Sequence, residues 1–243
     1  MESTHTKRNQ DAFSIRKADE ELSWQLPRIH RVSQLFKECN SINLVADLGC
    51  MSGMAMKVYQ ESGAKKLHGF DVSAKSLENV KALGFEGFRW NMDGEVSPAE
   101  SNSYDVVIAG EVIEHLIDTD HFLKEIKRML KPGGMLIITT PNLASWYNRI
   151  RLLRGKPPRS FPGVSSFVRL DPLIDNNHIR VNVVSEWKNL IQHHGFQIKR
   201  IEGISHLEAL QGGWRNLILR LLDRRMAHWP TLASGMIFMC QKP

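Results

Sequence analysis

A doubly wound α/β sheet is the fold this sequence predicts, and three observations predict it. Short apolar segments alternate with amphipathic ones from residue 44 to residue 140, the rhythm of parallel strands joined by right-handed helical crossovers. The segment Val45-Ala46-Asp47-Leu48-Gly49-Cys50-Met51-Ser52-Gly53 carries an apolar strand into an acid and then a glycine-punctuated turn. A second apolar strand, Leu67-His68-Gly69-Phe70-Asp71, ends in an acid about twenty residues further on. Glycines let a backbone approach a nucleotide ligand, and an acid after the second strand accepts hydrogen bonds from ribose hydroxyls. The turn has no full Gly-x-Gly-x-x-Gly, which counts against a dinucleotide and its pyrophosphate.

The elements follow in order. Residues 1–20 are polar and charged and are expected to be frayed. From Leu22 to Cys39 apolar residues recur at helical spacing, with Pro27 as an interruption, so one or two helices precede the first strand, Leu44–Leu48. Met54–Ser62 is a helix stopped by Gly63, and Leu67–Phe70 is the second strand. Ser73 caps a helix through Ala82, with Gly84 just past its end. Gly87–Trp90 is a short third strand. Tyr104–Ala109 is the fourth, with the continuous apolar run of a buried parallel strand. Asp118 or Thr119 caps a helix from Asp120 to Leu130. Lys131-Pro132-Gly133-Gly134 is a sharp break before the fifth strand, Met135–Thr140. Residues 141–180 hold Gly155, Pro157, Pro158, Pro162 and Gly163, the composition of an irregular insertion that would form a lid. Glu186–His194 is helical, Phe196–Ile204 is a strand, Trp214–Arg225 is a basic amphipathic helix, and Ser234–Gln241 is a final apolar strand. The expected organisation is an N-terminal helical segment, 1–40, and one cofactor-binding domain, 41–243, carrying the insertion.

Composition narrows the class. With 243 residues, 42% hydrophobic and 24% charged, the chain suits one large soluble domain. Its N-terminus has no apolar core of a secretory signal, and no run approaches the roughly 20 apolar residues of a membrane span. Cys39, Cys50 and Cys240 lie far apart without metal-ligand spacing. An odd count fits reduced thiols, so a cytoplasmic protein is expected. The formal charge of +6 is concentrated between Arg149 and Arg225, which permits an anionic partner without requiring one.

Four blocks stand together: Asp47-Leu-Gly49-Cys-Met-Ser-Gly53, Gly69-Phe-Asp71, Tyr104-Asp105-Val-Val-Ile-Ala-Gly110-Glu111, and Leu130-Lys-Pro132-Gly133-Gly134-Met-Leu-Ile-Ile. Together they resemble the class I S-adenosylmethionine-dependent methyltransferases over about residues 40–205. The resemblance implies a Rossmann-like, mostly parallel sheet of seven strands whose last strand, here Ser234–Gln241, runs antiparallel beside the fifth. It also implies S-adenosyl-L-methionine as cofactor, with Gly49 and Gly53 lining the turn under its methionine part and Asp47 holding the ammonium. Asp71 would take the ribose hydroxyls, Asp93 the adenine amino group with Met92 beside the ring, and Glu111 would stand near the methyl-bearing sulfur. Many members of the family have glycine where this chain has Met51, whose side chain must therefore point away from the cofactor.

Glu111-Val-Ile-Glu114-His115 is a second candidate site. If it opens as a helical turn, spacings of three and four bring Glu111, Glu114 and His115 close together. His178 precedes the Glu186–His194 helix and should return over the carboxyl ends of the strands. Two carboxylates and two imidazoles could hold a divalent metal. Without metal, His115 or His178 would serve as a general base beside Glu111, or His115 would be structural. The block is similar to that of the ubiquinone-pathway O-methyltransferases and of the small-RNA 3′-terminal 2′-O-methyltransferases, while Thr139–Arg149, the proline-rich insertion and His178-Ile179-Arg180 look like a bacterial branch that often acts on sugars, lipid-linked intermediates or other small metabolites. O-methylation of a small hydroxylated metabolite or saccharide is the reading this favours. An RNA 2′-O-methyltransferase and a non-catalytic partner subunit of the same fold are the alternatives. Trp214–Arg225 is expected to pack its Leu/Ile side on the sheet or on a second subunit, and peripheral contact with an anionic membrane is its other reading.

Overall fold

The computed structural model describes residues 18–161, 178–207 and 213–243, so expectations for residues 1–17, Pro162 and Gly163 lie outside the described residues. The chain runs α1 (Ala18–Leu35), a 3-10 turn (Phe36–Glu38), β1 (Leu44–Leu48), α2 (Met54–Glu61), β2 (Lys66–Asp71), α3 (Ala74–Ala82) and β3 (Glu86–Arg89). It continues with β4 (Tyr104–Gly110), a 3-10 turn (Ile113–His115), α4 (Thr119–Met129), β5 (Leu130–Pro141) and α5 (Trp146–Leu153). After the insertion come α6 (Val184–His193), β6 (Gln197–Ile204), α7 (Trp214–Met226) and β7 (Gly235–Gln241).

The strands form one sheet in the order β3-β2-β1-β4-β5-β7-β6. All pairings from β3 to β5 are parallel, and β7 runs antiparallel to both β5 and β6. Both faces are buried, which is why β1, β4 and β5 are continuous apolar runs and not alternating ones. Ala46, Leu48, Val107, Ala109, Leu136 and Ile138 pack under α4 and α6, through Phe122, Ile126, Trp187 and Ile191. The intervening residues Val45, Val106, Ile108, Met135 and Ile137 pack under α1, α2 and α3, through Ile29, Val32, Met56, Tyr59 and Val80. Ser73 caps α3 by accepting from Ser76 N (3.3 Å), and Asp118, not Thr119, caps α4 by accepting from His121 N (2.8 Å).

Three expectations need correction. Pro27 does not interrupt the first helix: α1 passes through it, held down on the sheet by Ile29, Val32 and Leu35. The Lys131–Gly134 break falls inside β5 and not ahead of it: Leu130 pairs with Tyr104 and pairing resumes at Met135 with Val106, so these four residues bulge out opposite Asp105. Lys131 Nζ reaches Asp105 Oδ1 at 2.7 Å, and Gly134 packs so closely that a Cβ there would stand 2.9 Å from Lys131 O and 3.2 Å from Asp105 O. Finally, α7 does not lay its Leu/Ile side on the sheet. Asp223 is the residue that faces inward, fully buried, while Leu217, Ile218, Leu221 and Leu222 are exposed.

The Asp223 carboxylate anchors α7. Oδ1 accepts from Trp146 Nε1 of α5 (2.7 Å), and Oδ2 accepts from Ser205 Oγ (2.6 Å), Ser234 Oγ (2.7 Å) and Leu207 N (3.1 Å). One acid thus ties the ends of β6 and β7 to α5 and α7. Hydrogen bonds to a charged group contribute about 1.5–3 kcal/mol each, non-additively, and Asp223→Ala leaves four donors without their acceptor. Chemical denaturation should show a loss of about 3 kcal/mol or more, with Asp223→Asn intermediate; a change below 1 kcal/mol (about one ordinary hydrogen bond) would remove Asp223 from this role.

Candidate functional site

The carboxyl ends of β1 and β2 present two buried acids, Asp47 and Asp71. Asp71 Oδ2 accepts from Met51 N (3.0 Å) and Oδ1 from Ser73 N (2.8 Å), so the turn after β1 and the cap of α3 both fold onto one carboxylate. Each oxygen has a second lone pair left for a ligand hydroxyl. Burial raises the Asp71 pKa, and the N–H groups of Ser73, Met51 and Val72 hold it back. Burial pushes the Asp47 carboxyl up to about 7, against the pull of Arg28 and with the help of the Asp71 charge.

The turn between these acids is tight for steric reasons. Gly49 has φ +67°, and a Cβ there would come within 2.7 Å of Val112 Cγ2, so this turn and the loop after β4 meet across the glycine. Gly53 caps α2 at φ +78°, with Val80 3.0 Å from where a Cβ would stand. Met51 holds φ +48° without being glycine, a left-handed conformation that costs about 1–2 kcal/mol. Its Sδ lies 3.9 Å from Gln25 Nε2 of α1, so its side chain reaches the N-terminal helix. A cleft runs between α1 and this turn, bordered by Gln25, Arg28, Asp47, Gly49, Met51 and Gly110.

Arg28 is the residue that motif reasoning passes over. It is buried, its Nη2 donates to Gln25 Oε1 (2.6 Å) and its Nη1 to Thr139 Oγ1 (3.5 Å), while its Nε has no partner. A buried guanidinium with an unanswered donor at the lip of a cleft fits an anionic group such as a carboxylate. The signal was present in the sequence: Arg28 shares a helical face with Val32 and Leu35, at spacings of four and seven, where a charge is out of place. Met92 is buried among the apolar residues beyond β3. Asp93 Oδ1 accepts from Ile117 N (3.0 Å) and Asp118 N (2.8 Å), pinning the loop before α4 and leaving only Oδ2 for an adenine amino group.

Beyond β4 the chain separates the two glutamates. Glu111 takes φ +57° and turns to the α1 face of the sheet. There Oε1 accepts from Thr139 Oγ1 (2.8 Å) and lies 3.8 Å from His206 Nε2. Burial opposes its ionisation, but His206 and Arg28 together with the Thr139 hydroxyl and His178 hold its pKa below the ordinary range. Arg28 is the constant charge in that set, because burial lowers the pKa of His206. His206 and Thr139 were not singled out from sequence: they come together only through the β5-β7-β6 pairing.

Glu114 lies on the opposite side, with no exposed surface. The Thr140 hydroxyl is near enough to pull its pKa down, yet neither carboxylate oxygen completes a well-formed hydrogen bond. Burial, reinforced by the Glu111 charge, holds this carboxyl well above the usual range. Its Oε1 lies 4.0 Å from His178 Nε2, and the His115 and His178 rings are 4.7 Å apart. His178 Nδ1 stands 2.8 Å from Ser160 O; donating there leaves the Nε2 lone pair facing Glu114. The segment is strapped in place, since Glu114 O accepts from Ile179 N (2.9 Å) and Arg180 N (3.0 Å), and the Arg180 guanidinium donates to Leu116 O and Ile117 O. Ligand atoms of Glu114, His115 and His178 all fall within 4.8 Å of one another. The structure therefore brings three of the four anticipated residues together and sets Glu111 apart with Arg28, Thr139 and His206.

A family model described as a methyltransferase domain matches residues 46–138, from β1 into β5. The ubiquinone biosynthesis O-methyltransferase of Bradyrhizobium sp. (strain ORS 278) is 32% identical over 109 residues, 43% of this chain and 42% of that protein. Its counterpart in Rhodopseudomonas palustris (strain BisB18) is 27% identical over 164 residues, 63% of each chain. The chain thus spans less than two thirds of the length of these relatives. Among solved structures, S-adenosylmethionine-dependent methyltransferases from Mesorhizobium loti and Archaeoglobus fulgidus share the fold. The TM-scores are 0.59 and 0.60 at 17% and 15% identity, covering 91% and 90% of this chain and 99% and 95% of theirs. Residues 46–138 thus match a methyltransferase domain, and the sheet order and the acids at the ends of β1 and β2 are those that resemblance to the class I S-adenosylmethionine-dependent methyltransferases implies.

Proposed function

We propose that this protein transfers the methyl group of S-adenosylmethionine to a hydroxyl oxygen of a small metabolite or saccharide. The observation that carries the choice of oxygen is the Glu114, His115 and His178 cluster beyond β4. A sulfonium is already a strong electrophile, so an enzyme need only align the acceptor and, for a hydroxyl, deal with its proton. A buried carboxyl beside two imidazoles is equipped for that task. The curated relatives named as O-methyltransferases support the same reading.

In this reading Asp71 takes the ribose hydroxyls, Asp47 the methionine ammonium and Arg28 the methionine carboxylate. Gly49 and Gly53 keep the floor of the cleft free of side chains. Met92 and the free oxygen of Asp93 would border the adenine, and Glu111 would stand by the sulfur with its charge held by Arg28 and Thr139. His178, oriented through Ser160 O, faces the acceptor. A divalent cation suits the second cluster, because the Glu114 oxygens lack hydrogen-bond partners and two imidazole nitrogens complete a mixed donor set. Such an ion would lower the acceptor hydroxyl pKa and fix its direction.

Titration calorimetry should separate these roles. Asp71→Ala and Arg28→Ala each remove a charged hydrogen-bonding partner of roughly 1.5–3 kcal/mol, so S-adenosylmethionine affinity should drop about tenfold or more in each. Unchanged affinity in either variant would withdraw that residue from the cofactor site.

The Asp47 carboxyl gives cofactor binding a pH profile. Below its raised value of about 7 it is protonated and offers the ammonium little; above, it is ionised and attracts it. Affinity should therefore rise through about pH 7 and decline above about 8, as the ligand's α-amino group loses its proton. Asp47→Asn should flatten the rising limb, and an unaltered limb in that variant would assign it to another group.

For the second cluster, a chelator should abolish methyl transfer and a divalent ion should restore it, while Glu114→Gln, His115→Ala and His178→Ala lose activity and keep cofactor affinity. Chelator resistance with loss in the histidine variants would select a metal-free general base. Activity indifferent to both would point to an acceptor that is already a good nucleophile and overturn the hydroxyl reading.

A further inference from the structure

The helix α7 is built the wrong way round for an ordinary surface helix. Trp214, Leu217, Ile218 and Leu221 share its outward face at spacings of three and four, and with Leu222 they are between 41% and 68% exposed. Asp223, the helix's one acid, points inward and is consumed by Trp146, Ser205, Ser234 and the Leu207 amide. The charges that remain toward solvent are basic: Arg224 and Arg225 in the last turn, with Arg220 half-buried at the edge. Arg225 lies 5.8 Å over the ring of Trp229, itself exposed just past the helix, so an exposed tryptophan stands near each end of α7. The anchor that inverts the helix is thus well made, and the apolar face is held out to solvent by it.

We propose that this face docks on an anionic lipid bilayer surface. An apolar stripe with arginines beside it and tryptophans at its ends matches the headgroup boundary, where apolar side chains enter the acyl edge, guanidinium groups meet phosphates and indole rings sit between. Charge decides against a second copy of this chain as the occupant. In an antiparallel pair about a two-fold axis, Arg224 and Arg225 would face the first turn of the partner helix, which carries no acid to answer them. No helix among the described residues is long and apolar enough to cross a membrane, so the contact is peripheral. Placement gives it a direction. The strands flanking α7 meet at Ile204 and Gly235, paired at the carboxyl edge of the sheet beside Pro141, the edge that carries Glu114 and Asp71. Docking through α7 brings a lipid surface to that side of the molecule. The proposal stands apart from the choice of acceptor above.

Vesicle flotation with the full chain tests it. Vesicles of phosphatidylcholine with phosphatidylglycerol should carry the protein up, phosphatidylcholine alone should carry far less, and added salt should weaken the difference. The double variant Leu217→Ser/Leu221→Ser should bind at least about tenfold more weakly, and Arg224→Gln/Arg225→Gln should lose the preference for anionic lipid. Both variants should melt as the parent does and keep its S-adenosylmethionine affinity, which excludes misfolding as the cause. Flotation that is absent, or present and unchanged in both variants, overturns the proposal. So does light scattering that shows a dimer which the leucine variant dissociates, because a second copy would then own the face.

Discussion

Where β1 lies beside β4, the chain leaves one strand toward β2 and the other toward β5, so the connections diverge and a crevice opens at the carboxyl edge between them. This reversal in strand order is the constraint on which the rest depends. It sets the glycine turn after β1 against the loop after β4, close enough that Gly49 tolerates no side chain beneath Val112. It places Asp47 and Asp71 on one wall and Glu111 and Glu114 on the other. The remainder of the fold, with helices over both faces and apolar strands throughout, keeps this edge in register.

Burying several carboxylates along one crevice is costly unless their charge is balanced or suppressed. The protein uses both means. Arg28, inserted from α1, is the cation near Asp47 and Glu111, and it holds Glu111 ionised with the help of Thr139. Glu114, on the far side, is pushed toward its neutral form by burial and by the charge of Glu111. Two glutamates three residues apart are thereby driven to opposite protonation preferences. The backbone makes this division when Glu111 adopts its positive φ and sends its side chain to the other face.

Much of this was legible in the residues. The acid-glycine turn, the second acid, the capping Ser73 and the unbroken apolar strands declare the β1–β2 half of the crevice, because those signals are local. The Glu114, His115 and His178 cluster was legible only as a set of residue types. Spacing brings Glu114 near His115, but the division from Glu111 depends on a single backbone angle that no periodicity reports. The α7 periodicity was visible too, yet a helical stripe tells only that apolar residues share a face and not which way that face looks. Its direction is set by four hydrogen bonds to Asp223 from residues 11 to 77 positions away. Arg28 was overlooked because no motif surrounds it, although its place on an apolar helical face was a sign of buried charge.

The antiparallel β7 imposes an order of assembly. It follows β6 in the chain but lies between β5 and β6, so β6 has no strand to pair with until β7 has been synthesised. Residues 44–141, by contrast, contain five adjacent strands and both acids at the ends of β1 and β2. During vectorial synthesis that half can close its hydrogen bonds while the later elements are still emerging. The wall bearing His206, and the Ser234 bond that fixes α7, are completed only when the late strand threads into the gap.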